Sequence, residues 1–110
     1  MEEHTKLECS FRFLSLSKRE ADSLKSFFKC VNFGRHFKTG EITAVIELLL
    51  ETIPVIQDFI ETTKVSHSNR DIFISVTSSY DSQIVDIPKF VNQAAALLDT
   101  KLVFSYTCTS

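Results

Sequence analysis

Tryptophan is absent from the 110 residues, and glycine and proline occur only twice each. With ten Phe and two Tyr, the aromatic content is almost wholly apolar, so it needs few buried hydrogen-bond partners and reads as core material. Two glycines leave little scope for backbone cradles around phosphate. Neither a Gly-rich phosphate loop nor a GxSxG elbow nor an HExxH pair occurs. No run approaches the roughly 18 apolar residues of a membrane span. The opening residues Met1-Glu2-Glu3-His4 are acidic, unlike the basic start of a signal peptide. The expectation is a chain neither exported nor inserted in a membrane.

The three cysteines, Cys9, Cys30 and Cys108, are odd in number and form no CxxC pair, which suits a reducing, cytoplasmic setting. Free cysteines of this kind are ordinarily small buried hydrophobes rather than reactive thiols. His4, His36 and His67 stand apart from one another and from any cysteine at metal-ligand spacing, so no metal or other cofactor is expected. A formal charge of -2 disfavours a nucleic-acid binder, because phosphate affinity rests on Lys and Arg. The basic residues Lys18, Arg19, Lys25, Lys29, Arg35 and Lys38 cluster, but Glu20 and Asp22 interrupt them.

What is present is the balance of a folded domain: 44% hydrophobic and 24% charged residues, in a length that closes one core. Leu7, Cys9, Phe11 and Phe13 alternate with Glu8, Ser10 and Arg12, which predicts a half-buried strand over 7–14. Ser17 and Glu20 have capping-box spacing, and Ala21, Leu24, Phe28 and Val31 follow at helical intervals, so a helix is expected over about 18–30. Residues 32–40 hold both glycines and read as a loop or a short edge strand. From Glu41 to Thr63, Ile42, Val45, Ile46, Leu49, Ile53, Ile56 and Ile60 keep a period near 3.6. This predicts one long helix, kinked at Pro54, or two abutting helices.

Ile72, Ile74 and Val76 mark a second strand, after which Tyr80, Asp81 and Gln83 turn the chain. Pro88 opens a third helix ending near Asp99, and Leu102, Phe104 and Tyr106 alternate in a last strand. Asp81, Asp86 and Asp99 flank that helix as turn and capping groups rather than as an acid and base pair. The expected fold is a single α+β domain over 1–110 in the order βααβαβ. Its sheet has three strands, or four if 32–40 contributes an edge, with helices on one face and a parallel βαβ unit at the end. The uncovered face would carry Ser10, Ser75, Thr77, Ser79, Ser105 and Thr107 with Phe73 and Val103 among them.

Charge supplies the functional pointer. No Lys or Arg occurs from Glu41 to Thr63, so Glu41, Glu47, Glu51, Asp58 and Glu61 give that segment -5 of a whole-chain charge of -2, and the rest sums to +3. On a helix, Glu47, Glu51, Asp58 and Glu61 would fall within about 80° of one another, opposite the isoleucines. A solvated outer face is the ordinary explanation of such charges. Solvated helices usually mix signs, however, and an unmixed acidic face forgoes i,i+4 support. It suits a surface that meets a basic partner.

From about Ala44 to Thr107 the chain resembles a bacterial family catalogued as domain of unknown function 4279. The resemblance rests on Ile46-Glu47-Leu48-Leu49-Leu50 as a helix, Asp71-Ile72-Phe73-Ile74-Ser75-Val76 as a strand, the helix begun by Pro88, and the closing Lys101-Leu102-Val103-Phe104-Ser105-Tyr106. The tryptophan and Gly-rich entry region of longer members are missing here. The resemblance implies an α+β domain akin to small immunity proteins that protect bacteria from contact-dependent or other polymorphic toxins, and it transfers no catalytic residue. The expected function is therefore non-enzymatic: a toxin inhibitor that covers the substrate site of a basic toxin, a nuclease for example, using Glu47, Glu51, Asp58 and Glu61. The alternative is a small-ligand-binding or regulatory interaction module.

Overall fold

Strand β1 (Thr5–Leu16) follows from the alternation that opens the chain, and its inward residues Phe11, Phe13 and Leu16 are buried. The structure, a computed structural model, describes residues 5–80 and 84–109. The acidic opening residues, His4 and the turn assigned to Asp81 and Gln83 lie outside the described residues. Helix α1 (Lys18–Phe27) starts at the expected capping box: the Glu20 amide donates to Ser17 Oγ at 3.0 Å and the Ser17 amide to Glu20 Oε1 at 2.8 Å. It ends three residues earlier than the periodicity suggests, because Phe28 is already extended.

The expectation of one helix over Glu41–Thr63, kinked or divided, is corrected. Residues Ile42–Glu47 form strand β3, the chain turns through 48–52, and helix α2 covers Ile53–Thr63. Four of the five residues Ile42, Thr43, Ala44, Val45 and Ile46 are β-branched, which favours the pleated backbone. Ala44, Ile46 and Leu48 point into the core, while Val45 and Glu47 point away, so a period of two holds where a period of 3.6 was expected. Thr52 Oγ1 accepts the Leu49 amide at 2.8 Å and closes the turn. Pro54 does not kink a helix; it sits in the first turn of one, where its missing amide has no partner to lose. The Ile46–Leu50 stretch is accordingly a strand end and a turn rather than the helix that the family resemblance implied.

Residues 32–40 include a short strand, β2 (Asn32–Arg35). A 3-10 turn (His67–Asn69) leads into β4 (Arg70–Ser78), α3 (Lys89–Leu97) follows, and β5 (Lys101–Cys108) closes the chain. The expected order βααβαβ is therefore corrected to βαββαβαβ, with five strands in spatial order β2-β3-β1-β4-β5. Strands β1, β2 and β3 pair antiparallel with their neighbours and β1 pairs antiparallel with β4. The terminal βαβ unit places β4 and β5 parallel and adjacent.

All three helices cover one face, as expected. Leu24 of α1, Ile56 and Phe59 of α2, and Val91 and Ala94 of α3 share a core with Phe11, Phe13, Ala44, Ile46, Ile72 and Ile74 of the sheet. Edge-to-face rings join the sheet to α2, Phe13 to Phe59 at 5.2 Å, and α1 to α2, Phe27 to Phe59 at 5.4 Å between centroids. On the opposite face, Arg12 of β1 makes a two-pronged ion pair with the buried Asp71 of β4, at 2.8 and 2.7 Å. Its guanidinium also lies over the Phe73 ring, 4.2 Å from the centroid.

Candidate functional site

The site begins with a mismatch of strand lengths. Strand β1 has twelve residues and β3 six, and their pairing ends at Ser10 opposite Glu47. The Leu48 amide makes one last bond to the Cys9 carbonyl at 3.1 Å, after which the chain turns away from β1. Pro88 and Phe90 at the start of α3 approach the gap from the helix side, and Asn32 of β2 approaches from the other. The resulting cleft has a volume of about 470 Å³. Glu8, Ser10, Asn32 and Glu47 make its polar side, and Leu7, Cys9, Val45, Leu48 and Phe90 its apolar side.

Glu8 and Glu47 point to solvent, and Glu8 is shared with Lys6 at 3.8 Å. Burial pushes the Cys9 thiol up from its ordinary value, so its neutral form is favoured and no thiolate is poised beside the carboxylates. Carboxylates and an amide around an apolar floor can receive a long basic side chain by both its head and its stem.

The four acids chosen from the sequence are not brought onto one helix face. Glu47 ends β3, Glu51 lies in the turn before α2, and Asp58 and Glu61 occupy successive turns of α2. All four are exposed, and among the described residues none forms an ion pair within 4 Å. The expected ridge is thus two pairs, Glu47 with Glu51 around the β3–α2 turn and Asp58 with Glu61 along α2. Only Glu47 lines the cleft.

Between Glu47 and Glu51 stands Leu50, 70% exposed. Sequence reasoning missed Leu50, Glu8 and Asn32. A signal existed for the first, since on the supposed helix Leu50 falls about 60° from Glu47, an apolar residue on an acidic side. Glu8 and Asn32 join the cleft only because β3 is short, which no local pattern displays.

The basic residues gather at another corner. Lys18, Lys25 and Arg35 line a hollow of about 350 Å³ between α1 and β2, together with Asp22 and Phe33. Asp22 lies 3.9 Å from Lys18 and 3.8 Å from Lys25, Lys25 sits over the Phe33 ring, and Arg35 donates to the Gly40 carbonyl. These cations are engaged within the chain, unlike the acids. Among the described residues no group of three or more His, Cys, Asp or Glu side chains is arranged to hold a metal ion, and no helix is long and apolar enough to cross a membrane.

Fold and site together define an α+β domain with a one-sided, mixed five-stranded sheet and an acidic cleft at the end of a short strand. No family model, curated protein or solved structure compared with the chain matches it.

Proposed function

We propose that this chain is an immunity-type inhibitor: a non-enzymatic protein that binds a basic bacterial toxin, a nuclease for example, and covers its substrate site. The observation that carries this reading is the segment 41–63, which has five acids, no Lys or Arg, and four outward carboxylates, Glu47, Glu51, Asp58 and Glu61, without an ion-pair partner among the described residues. Glu47 and Glu51 bracket the exposed Leu50 along the β3–α2 turn, so an apolar side chain stands between two carboxylates in sequence. A nuclease must present cations to phosphate, so a one-signed carboxylate surface gives fast encounter and blocks the same groups that hold substrate. The reading agrees with the resemblance to the domain of unknown function 4279 family. Action would take place in the cytoplasm, without nucleic acid or cofactor.

Growth rescue tests it. Cells expressing a panel of basic nuclease toxin domains are expected to survive against at least one member when this chain is co-expressed, with binding that weakens as salt rises. Failure to rescue or bind any member contradicts the reading. A second reading, a small-ligand module, is favoured by the cleft volume of about 470 Å³, which lies in the range of ligand sites. It predicts a rise in melting temperature with small guanidinium or ammonium compounds and none with proteins.

A further inference from the structure

The two edges of the sheet differ in kind. The β2 edge is four residues long, includes Gly34 and Arg35, and is followed at once by His36 and Lys38, the features that keep an edge from accepting another strand. The β5 edge is eight residues long, Lys101-Leu102-Val103-Phe104-Ser105-Tyr106-Thr107-Cys108, rich in β-branched and aromatic residues, with its one charge at the start. Strand β4 lies on one side of it, and among the described residues no strand lies on the other. On the helix-covered face of this edge, Phe104 is 59% exposed and Tyr106 41%.

We propose that the β5 edge is the interface of a homodimer, in which β5 pairs antiparallel with β5 of a second copy about a two-fold axis and extends the sheet from five strands to ten. Directly opposed residues of an antiparallel pair share a face, so the paired residue numbers must sum to an even value for aromatic to meet aromatic. A sum of 208 sets Phe104 against Phe104 of the second copy and Leu102 against its Tyr106. A sum of 210 sets Phe104 against Tyr106. Lys101 then faces Thr107 or Thr109, so neither register opposes like charges. Taking about 200 Å² per ring, Phe104 and Tyr106 contribute roughly 200 Å² of exposed aromatic surface per copy, about a quarter of one side of a standard interface. The remaining area comes from the strand backbone and Val103. Because the β2 edge is short and basic, each copy offers a single pairing edge, and association closes at two copies instead of growing into filaments.

Sedimentation equilibrium of the full chain under reducing conditions tests the proposal. Wild type is expected at twice the 12.5 kDa chain mass. Phe104→Lys, and separately Tyr106→Lys, should each raise the dimer dissociation constant by roughly tenfold or more, with an unchanged circular dichroism spectrum. Phe37→Lys, at an exposed residue of the 36–40 turn, should have no effect, nor should E47K/E51K, which separates this result from that of the toxin reading. Alternate amides of 102–107, those that point away from β4, should exchange more slowly with solvent as concentration rises. Wild type that stays monomeric at every soluble concentration, a dimer that survives both lysine variants, or a dimer whose β5 amides are not slowed overturns it.

Discussion

Arg70 shows how one side chain closes two elements at once. It is 6% exposed, its Nη1 donates to the Val65 carbonyl just past α2, and its Nη2 donates to the Leu98 carbonyl at the end of α3, 3.1 Å away. Burial pushes its pKa down and the charge of Asp99 opposes that shift. The helix C-termini, with their partial negative charge, help hold the cation in place of a direct ion pair. Arg70→Ala removes both donors and leaves two carbonyls unsatisfied, so it should cost about 3 kcal/mol, read from urea midpoints at constant slope. A loss below about 1 kcal/mol would show that water replaces the guanidinium at no cost. Cys9 gives a second test at this scale. Its burial-raised pKa means that the folded chain keeps a proton the unfolded chain gives up, so its contribution to stability is complete below the ordinary thiol pKa and fades as pH rises through the folded value. In mildly alkaline iodoacetamide, the exposed Cys30 should alkylate well before Cys9; the reverse order would contradict the burial assigned to Cys9.

Among elements, those set by neighbouring residues were legible and those set by distant pairing were not. The capping box of Ser17 and Glu20 announces α1 because both of its hydrogen bonds span three residues. Pro88 announces α3 for the same kind of reason. The segment 41–63 misled because Ile42, Val45, Ile46 and Leu49 satisfy a helical period while Ile42, Ala44 and Ile46 satisfy a strand period. The choice fell to pairing of Ile46 with Phe11 and of Ala44 with Phe13, far away in sequence, and to β-branched density that the periodicity outweighed. The Arg12–Asp71 pair is another product of pairing, joining β1 to β4 across opposed residues. Asp71 is buried, so Arg12→Leu should strand its carboxylate and cost about 3–5 kcal/mol, whereas the double variant R12L/D71L should recover most of that loss. Equal destabilisation in the single and double variants would mean that Arg12 acts through its stacking on Phe73 rather than through charge.

For the whole molecule, the uneven distribution of charge was readable from composition, and its geometry was not. The absence of Lys and Arg over 41–63 needs no fold to be seen. That Glu47 lines a cleft, with Leu50 and Glu51 in the turn after it and Asp58 and Glu61 farther along α2, follows from the end of β3. Glu47 and Glu51, at the cleft end and around an exposed leucine, should therefore matter more than Asp58 and Glu61. The measurement that tests this most directly is the affinity of E47K/E51K and of D58K/E61K for a toxin domain recovered by growth rescue, at low and high salt. E47K/E51K should weaken binding by a hundredfold or more at low salt, about 3 kcal/mol, D58K/E61K should weaken it less, and salt should narrow both gaps. Affinity unchanged by E47K/E51K at low salt would contradict it.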